Sequence, residues 1–458
     1  MQTSAPAFRS SSLRPGHPDF LDLPWGEPLG AWAGRSDRLV QLPVGPSRHP
    51  VVFVDYEGRL YALKELPAGL AEREYELLRR MQEARLPVVS PAGWVQTRTA
   101  EGDASVLVTR YLDRSLPYHL LFQRGSLNRT RDHLLDALAN LLVELHLSGV
   151  FWGDCSLYNA LFRRDAGALG AYLVDAETSE IQPGLGAARR GQDLEIAEEN
   201  VCGALADLQA AGSLPADLDI AATGRYLRLR YDALWGEIAR EEVLSSDERY
   251  RIQERVRSLN ALGFSVDEVE LIAAEGGRLR IRALVADRHF HRNLLQSLTG
   301  LEAEELQAQK LLNEIRETRA ALARARDRST PLSVAAYAWL HELYLPLQER
   351  LSRAAPAGPL DPVEAYCESS STSGTSARPP TRTSATRPRS RTTCTRGQAP
   401  EGGLAAAATG RLRRRSSQSS AAPESAMVAM ATPARHHTCS LNHACVTGIQ
   451  TRRISPMR

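Results

Sequence analysis

The sequence predicts an α+β protein: a two-lobed body, then a helix-rich α+β domain, then a disordered tail. Three observations carry this prediction. Strand-like runs crowd residues 38–112, helical periodicity dominates from residue 115, and no aromatic residue follows Tyr366. A strand-rich block feeding a helix-rich block is the pattern of segregated α+β layers.

Taken in order, residues 1–30 are rich in Pro, Ser and Gly and read as a flexible arm. In the first lobe, 31–114, "RLVQLPV", "PVVFVDYEG" and "RLYALKEL" read as strands, with "YEGR" as a hairpin turn. In "LAEREYELLRRMQEA", Leu70, Tyr75, Leu77, Leu78 and Met81 share one helical face. "RLPVVSPAGWVQTRT" and "ASVLVTRYLD" complete the strands. The second lobe, 115–242, opens on the amphipathic helix "TRDHLLDALANLLVELHLSG", which Gly149 stops. A loop, the strand "AYLVDAE" and helices around 192–210 and 219–241 follow. The third domain, 243–368, reads as a capped helix ending at Gly263, two strands around a Glu-Gly-Gly turn, and two long helices. One of these last helices spans "LSVAAYAWLHELYLPLQERLS".

Residues 369–458 hold no aromatic group, so they bury too little apolar surface to offset ordering entropy and are expected to be disordered. Their sudden excess of Arg, Ser, Thr, Ala, Pro and Gly also fits a shifted reading frame in a G+C-rich gene. An apolar helical pattern in another frame would reveal it.

A length of 458 residues allows two or three domains. The net charge of +2 averages two unlike parts: the tail carries 14 arginines against Glu401 and Glu424, so residues 1–368 are acidic. An acidic body argues against a dedicated nucleic-acid binder in the folded part and leaves room for a local basic patch. The cysteines Cys155, Cys202, Cys367, Cys394, Cys439 and Cys445 form no CxxC pair, so no zinc framework is expected. The N-terminus lacks an apolar signal core, and no run reaches the ~20 apolar residues of a membrane span. The expected location is the cytoplasm, with reduced thiols. Lys64 and Lys310 are the chain's two lysines against 54 arginines. A lysine that survives such a bias can mark a need for a compact ammonium.

Four pieces carry chemistry. Lys64 lies in the strand "YALKEL", Glu74 lies on the following helix, Asp154 and Asn159 share a loop, and Asp175 ends the strand "AYLV". Together they suit phosphoryl transfer from ATP. A lysine supplies a point charge to the phosphates, and a helix glutamate aims it. Asp175 and Asn159 offer hard oxygens to Mg²⁺, with phosphate oxygens completing the shell. Asp154 takes the acceptor proton. The spacing Asp-x-x-x-x-Asn places base and metal ligand on one loop.

These motifs resemble the protein-kinase-like superfamily. "LHLSGVFWGDCSLYNALF" followed by "YLVDAE" is most similar to its lipopolysaccharide (Kdo) kinase branch. "LNALGFSVDEVEL", "LTGLEAEELQAQKLLNEI" and "AYAWLHELYLP" resemble a C-terminal domain of unknown function that bacterial proteins join to such a kinase-like domain. The resemblance covers roughly 20–368. It implies a two-lobed protein-kinase-like fold, ATP and Mg²⁺ as cofactors, and a sugar, glycan or small-molecule hydroxyl as acceptor. It favours Glu74 over Glu72 and Glu76 as the partner of Lys64. The alternative it leaves open is a nucleotide-binding pseudokinase or scaffold whose residues 243–368 bind a partner protein.

Departures from the family pattern are also visible. Trp152 stands where a His or Arg is usual, Asp175-Ala176-Glu177 replaces Asp-Phe-Gly, and the lid "LPVGPSRHPVV" has the single glycine Gly45. Nearby, His146 reads as a packing or capping residue, Cys155 as a small buried one, and Asp193 as a brace for the loop. Glu177 is an extra metal ligand or a surface acid, and Arg189-Arg190 a solvated pair or, as the alternative, an attractor for an anionic acceptor.

Overall fold

The computed structural model describes residues 8–42, 48–119, 121, 127–245, 248, 250–273, 278–354 and 361–372. The expected lid glycine Gly45, the Glu-Gly-Gly turn and residues 373–458 of the tail lie outside them.

The first lobe is built on β1 (Phe8–Leu13), β2 (Leu39–Val40), β3 (Val51–Tyr56), β4 (Arg59–Pro67), α1 (Leu70–Glu83), β5 (Ser90–Thr99) and β6 (Gly102–Arg110). The strands form one six-stranded sheet in the order β1-β5-β6-β4-β3-β2, antiparallel throughout. Two positive-φ residues, Glu57 and Gly58, turn the chain between β3 and β4, and the Gly58 N–H donates to Asp55 Oδ1 at 2.7 Å. This is the expected hairpin. Alternation along β4 sends Tyr61 and Leu63 into a buried cluster on one face and Lys64 to the other.

From Phe8 onward the segment expected to be a flexible arm is instead part of this lobe. Residues Phe8–Leu13 pair with β5, and Phe20, Leu23, Trp25, Leu29 and Trp32 pack on the outer sheet face with Val54, Tyr61 and Leu63. The Trp25 indole donates to Phe20 O at 2.7 Å. Each such side chain contributes roughly 1.5–3 kcal/mol by leaving water. Their spacing fits neither period 2 nor period 3.6, which is why periodicity overlooks them.

The second lobe holds α2 (Leu127–Leu147), β7 (Val150–Phe151), β8 (Ala160–Asp165), β9 (Ala168–Leu173), β10 (Glu180–Ile181), α3 (Ala187–Ala210) and α4 (Ile220–Ala239). Helix α2 is its axis: Leu134, Leu138, Leu142 and Leu145 are fully buried. Strands β8 and β9 form an isolated hairpin, and β10 pairs with β7.

The third domain follows with β11 (Glu242–Leu244), α5 (Tyr250–Ala261), β12 (Ser265–Ala273), β13 (Leu279–Asp287), α6 (Phe290–Thr299), α7 (Glu305–Arg326), α8 (Leu332–Trp339), α9 (Leu345–Ala354) and α10 (Pro362–Thr372). Its sheet has the order β11-β13-β12. The single helix expected over "LSVAAYAWLHELYLPLQERLS" is interrupted by a π-helical turn, Leu340–Tyr344, in which Leu345 N–H donates to Leu340 O. Pro346 explains the widening, because its ring would collide with the carbonyl four residues back in a regular α-helix.

This domain is fused to the second lobe. Leu259, Phe264 and Ala283 belong to the same buried cluster as the α2 leucines. At the tip of the β8–β9 hairpin, Asp165 accepts hydrogen bonds from the Leu306 and Gln307 N–H groups at 3.1 and 2.7 Å. A residue of one domain thereby caps the first turn of α7 in another. Glu364 accepts from Ala166 N, Gly167 N and Gln307 Nε2 at 2.7, 3.2 and 2.8 Å. Among the described residues no helix is long and apolar enough to cross a membrane.

Candidate active site

Lys64 projects from the inner face of the first-lobe sheet, where α1 lies. On α1 the buried positions are Ala71, Glu74, Tyr75, Leu78 and Met81, one helical stripe. Glu74 therefore faces inward, whereas Glu72 and Glu76 are exposed. Lys64 Nζ donates to Glu74 Oε2 at 3.2 Å and to Asp175 Oδ2 at 2.6 Å. Glu74 Oε1 also accepts from Ala176 N at 3.1 Å, so one carboxylate anchors both the lysine and the backbone beside Asp175.

Burial pulls the Lys64 pKa down, but the Glu74 and Asp175 carboxylates outweigh it and hold the ammonium above its ordinary value. Burial pushes Glu74 up to about 7, helped by the Asp175 charge and opposed by Lys64. A raised carboxyl pKa means that the folded state holds the proton more tightly than the unfolded one. The associated stability is present below the ordinary carboxyl value of 4.5 and is lost as pH rises through about 7. Glu74→Gln should remove this component, so its denaturation midpoint should vary less between pH 5 and 8 than that of wild type. Parallel pH profiles would contradict the assignment.

The loop before Asp154 is fixed from beneath. Gly153 has φ 79°, and a Cβ there would stand 2.9 Å from the Phe151 ring and 3.0 Å from Thr178 O, so only glycine fits. Asp193 on α3 accepts from Trp152 N, Gly153 N and His146 Nε2 at 2.7, 2.9 and 3.1 Å. His146 Nδ1 meets the Tyr231 hydroxyl at 2.7 Å. Asp193 thus braces the loop, as read from the sequence, and His146 packs beneath it between Asp193 and Tyr231. Trp152 is buried, and its indole N–H donates to Asp175 O at 3.0 Å. The residue that departs from the family pattern ties the Asp154 loop to Asp175. Cys155 is fully buried and its thiol pKa is raised well above the ordinary value, first by burial. That matches an inert packing role.

Asn159 Nδ2 donates to Asp154 Oδ2 and to Asp154 O, each at 3.0 Å. The Val174 N–H donates to Asn159 O at 3.0 Å. Asn159 and Asp175 thus stand at the two feet of the β8–β9 hairpin.

The five sequence-predicted residues come together around one cleft. Lys64, Asp154, Asn159 and Asp175 line a cavity of about 580 Å³, walled on its apolar side by residues such as Ala62 and Val89, with Glu74 buried behind Lys64. Four neighbours complete it. Arg48 donates to Asp154 Oδ2 at 3.1 Å. His49 lies 3.3 Å from Glu177, whose carboxylate is 3.7 Å from Lys64 Nζ. Asn200 Nδ2 donates to Asp154 Oδ1 at 3.0 Å. Glu177 is therefore a cleft residue. Asn200 lies two helical turns beyond Asp193 on α3, and that spacing is the signal that could have found it. The Arg189-Arg190 pair is not simply solvated: Arg189 stacks on Phe151 and Arg190 on Trp235.

The donor set suits a nucleotide-bound magnesium ion. Among the described residues no group of three His, Cys, Asp or Glu side chains is arranged to hold a metal unaided. Asp175 and Asn159 instead offer one carboxylate and one amide oxygen beside a lysine, the sparse protein contribution expected where phosphates supply the remaining ligands.

Comparison with known proteins agrees with this geometry. Residues 59–199 match the Lipopolysaccharide kinase (Kdo/WaaP) family, and residues 233–370 match DUF4032, a domain of unknown function. Similar solved structures include one described as WaaP in complex with acyl carrier protein, at 17% identity, covering 50% of this chain and 100% of that one, with a TM-score of 0.31. Another is the BubR1 kinase domain, at 14% identity, covering 31% of this chain and 46% of that one, with a TM-score of 0.25. No curated protein matches the chain.

Proposed function

From a chain that joins a lipopolysaccharide-kinase-like region to a DUF4032 domain, we propose an ATP- and magnesium-dependent phosphotransferase. It moves the γ-phosphoryl group to a hydroxyl of a sugar, glycan or other small acceptor. The observation that supports this most is the convergence of Lys64, Asp154, Asn159 and Asp175 on one cavity of about 580 Å³, a size suited to a nucleotide.

In this reading Lys64 holds the phosphates and Glu74 keeps its ammonium aimed and charged. Asn159 and Asp175 would hold Mg²⁺, which when bound would neutralise charge on the phosphate oxygens. Asp154 orients the acceptor hydroxyl. As the acceptor oxygen bonds to the γ-phosphorus, the bond to the β-phosphate bridging oxygen breaks, ADP leaves, and the hydroxyl proton passes to the Asp154 carboxylate.

The test is nucleotide-dependent thermal stabilisation of the full chain, with γ-phosphate release measured alongside. Wild type should be stabilised by ATP more strongly with Mg²⁺ than without it. Asp175→Ala should lose the magnesium increment, about tenfold or more in apparent affinity. Equal, metal-independent shifts in both proteins would refute the metal role, and no shift in either would leave a scaffold.

A further inference from the structure

We infer that Asn200 is a positioning residue for Asp154, holding the carboxylate of the base in the orientation that proton transfer requires. The inference rests on the phosphotransfer reading of the cleft and adds a residue outside the matched span 59–199.

Asp154 is gripped from two sides. Asn159 donates to Oδ2 at 3.0 Å, and Arg48 donates to the same oxygen at 3.1 Å from a side chain that is 84% exposed. Among the described residues Oδ1 receives its hydrogen bond from Asn200, at 3.0 Å. The same Asn200 amide donates to Cys155 O at 3.2 Å. Asn159 and Arg48 both act on one oxygen, and the arginine is water-exposed. A donor on the second oxygen gives the carboxylate another anchor and narrows its libration about the Cβ–Cγ bond.

The platform for this contact is rigid. Helix α3 is anchored by the buried residues Asp193, Leu194, Ala197, Val201 and Ala204. Asp193 takes the N–H groups of Trp152 and Gly153, and two turns later Asn200 takes the Asp154 side chain and the Cys155 carbonyl. One helix therefore holds four consecutive loop residues. An oriented base loses less entropy on reaching the transition state, an effect seen in turnover rather than in nucleotide binding.

The experiment is steady-state ATP hydrolysis by the full chain, with water as acceptor, for wild type, Asn200→Ala, Asn200→Asp, Asp154→Asn and Asp154→Asn/Asn200→Ala. Asn200→Ala should lower kcat about tenfold and leave KM for MgATP and the thermal midpoint unchanged. Asn200→Asp, which cannot donate and repels Asp154, should lose more. The double variant should match Asp154→Asn within about twofold, because orientation is worthless without the base. A loss that multiplies onto Asp154→Asn, or that appears in KM or the thermal midpoint, would overturn the positioning role and leave the phosphotransfer reading intact. Wild-type turnover that does not depend on Asp154 would overturn both.

Discussion

Asp154→Asn should lower phosphoryl transfer by about 10³-fold while MgATP still binds within twofold of wild type, read by phosphate release and calorimetry. The substitution keeps the volume of the side chain but removes the charge to which this reading assigns the acceptor proton. It also turns an all-acceptor group into one that carries an NH₂, which then faces the amide of Asn159 or Asn200. One of these amides must turn away, so some orientation is lost with the base. The contact with Arg48 matters little for stability, because an ion pair with an 84% exposed arginine is screened by water. Binding should survive, since Lys64 and Asp175 are untouched. Wild-type-like turnover by the variant would remove Asp154 from the mechanism. MgATP binding without turnover in wild type would identify a pseudokinase.

The second large effect concerns folding. Asp165→Ala should destabilise the chain by about 3–5 kcal/mol in chemical denaturation, against about 1–2 kcal/mol for Asp165→Asn. Asp165 is buried and satisfies two N–H groups at the start of α7. Alanine takes this acceptor from both donors, leaves the Gln307 N–H only the Glu304 side chain of its capping box, and opens a void. Asparagine keeps one acceptor oxygen but presents its NH₂ to the other donor. Burial, then the Glu304 charge, pushes the Asp165 carboxyl up to about 7, against the two backbone hydrogen bonds. Its contribution therefore falls as pH rises through that value, and the gap between wild type and Asp165→Asn should narrow from pH 5 to pH 8. A destabilisation below about 1 kcal/mol for Asp165→Ala would show that α7 is capped well enough without it.

The chemistry of the cleft was legible in the sequence because each residue sits on an element with a clear period. Lys64 follows the alternation of β4, Glu74 lies on the apolar stripe of α1, and Asp154 and Asn159 keep their motif spacing. Asp193 was legible as a brace for the same reason. Three things were not. The outer cover of the first lobe, from Phe8 to Trp32, is irregular chain whose apolar residues obey no period. Arg48 and Asn200 reach Asp154 from 106 and 46 residues away; no local pattern reports the first, and only the two-turn spacing from Asp193 points to the second. The π-helical turn before Pro346 is a local strain solution that a periodicity reading passes over.

The junction at the β8–β9 hairpin has a consequence for what counts as a part of this protein. The two matched regions, 59–199 and 233–370, are separate stretches of sequence, yet they do not correspond to separable bodies. A kinase-like fragment cut free between them would uncover apolar groups that pack against Leu259 and Phe264. It would also strip Asp165 of both donors. The hairpin so affected is the short arm whose feet are Asn159 and Asp175. Expression, proteolysis and exchange of modules should therefore treat the kinase-like region and the domain after it as one inherited piece, whatever boundary the sequence families draw.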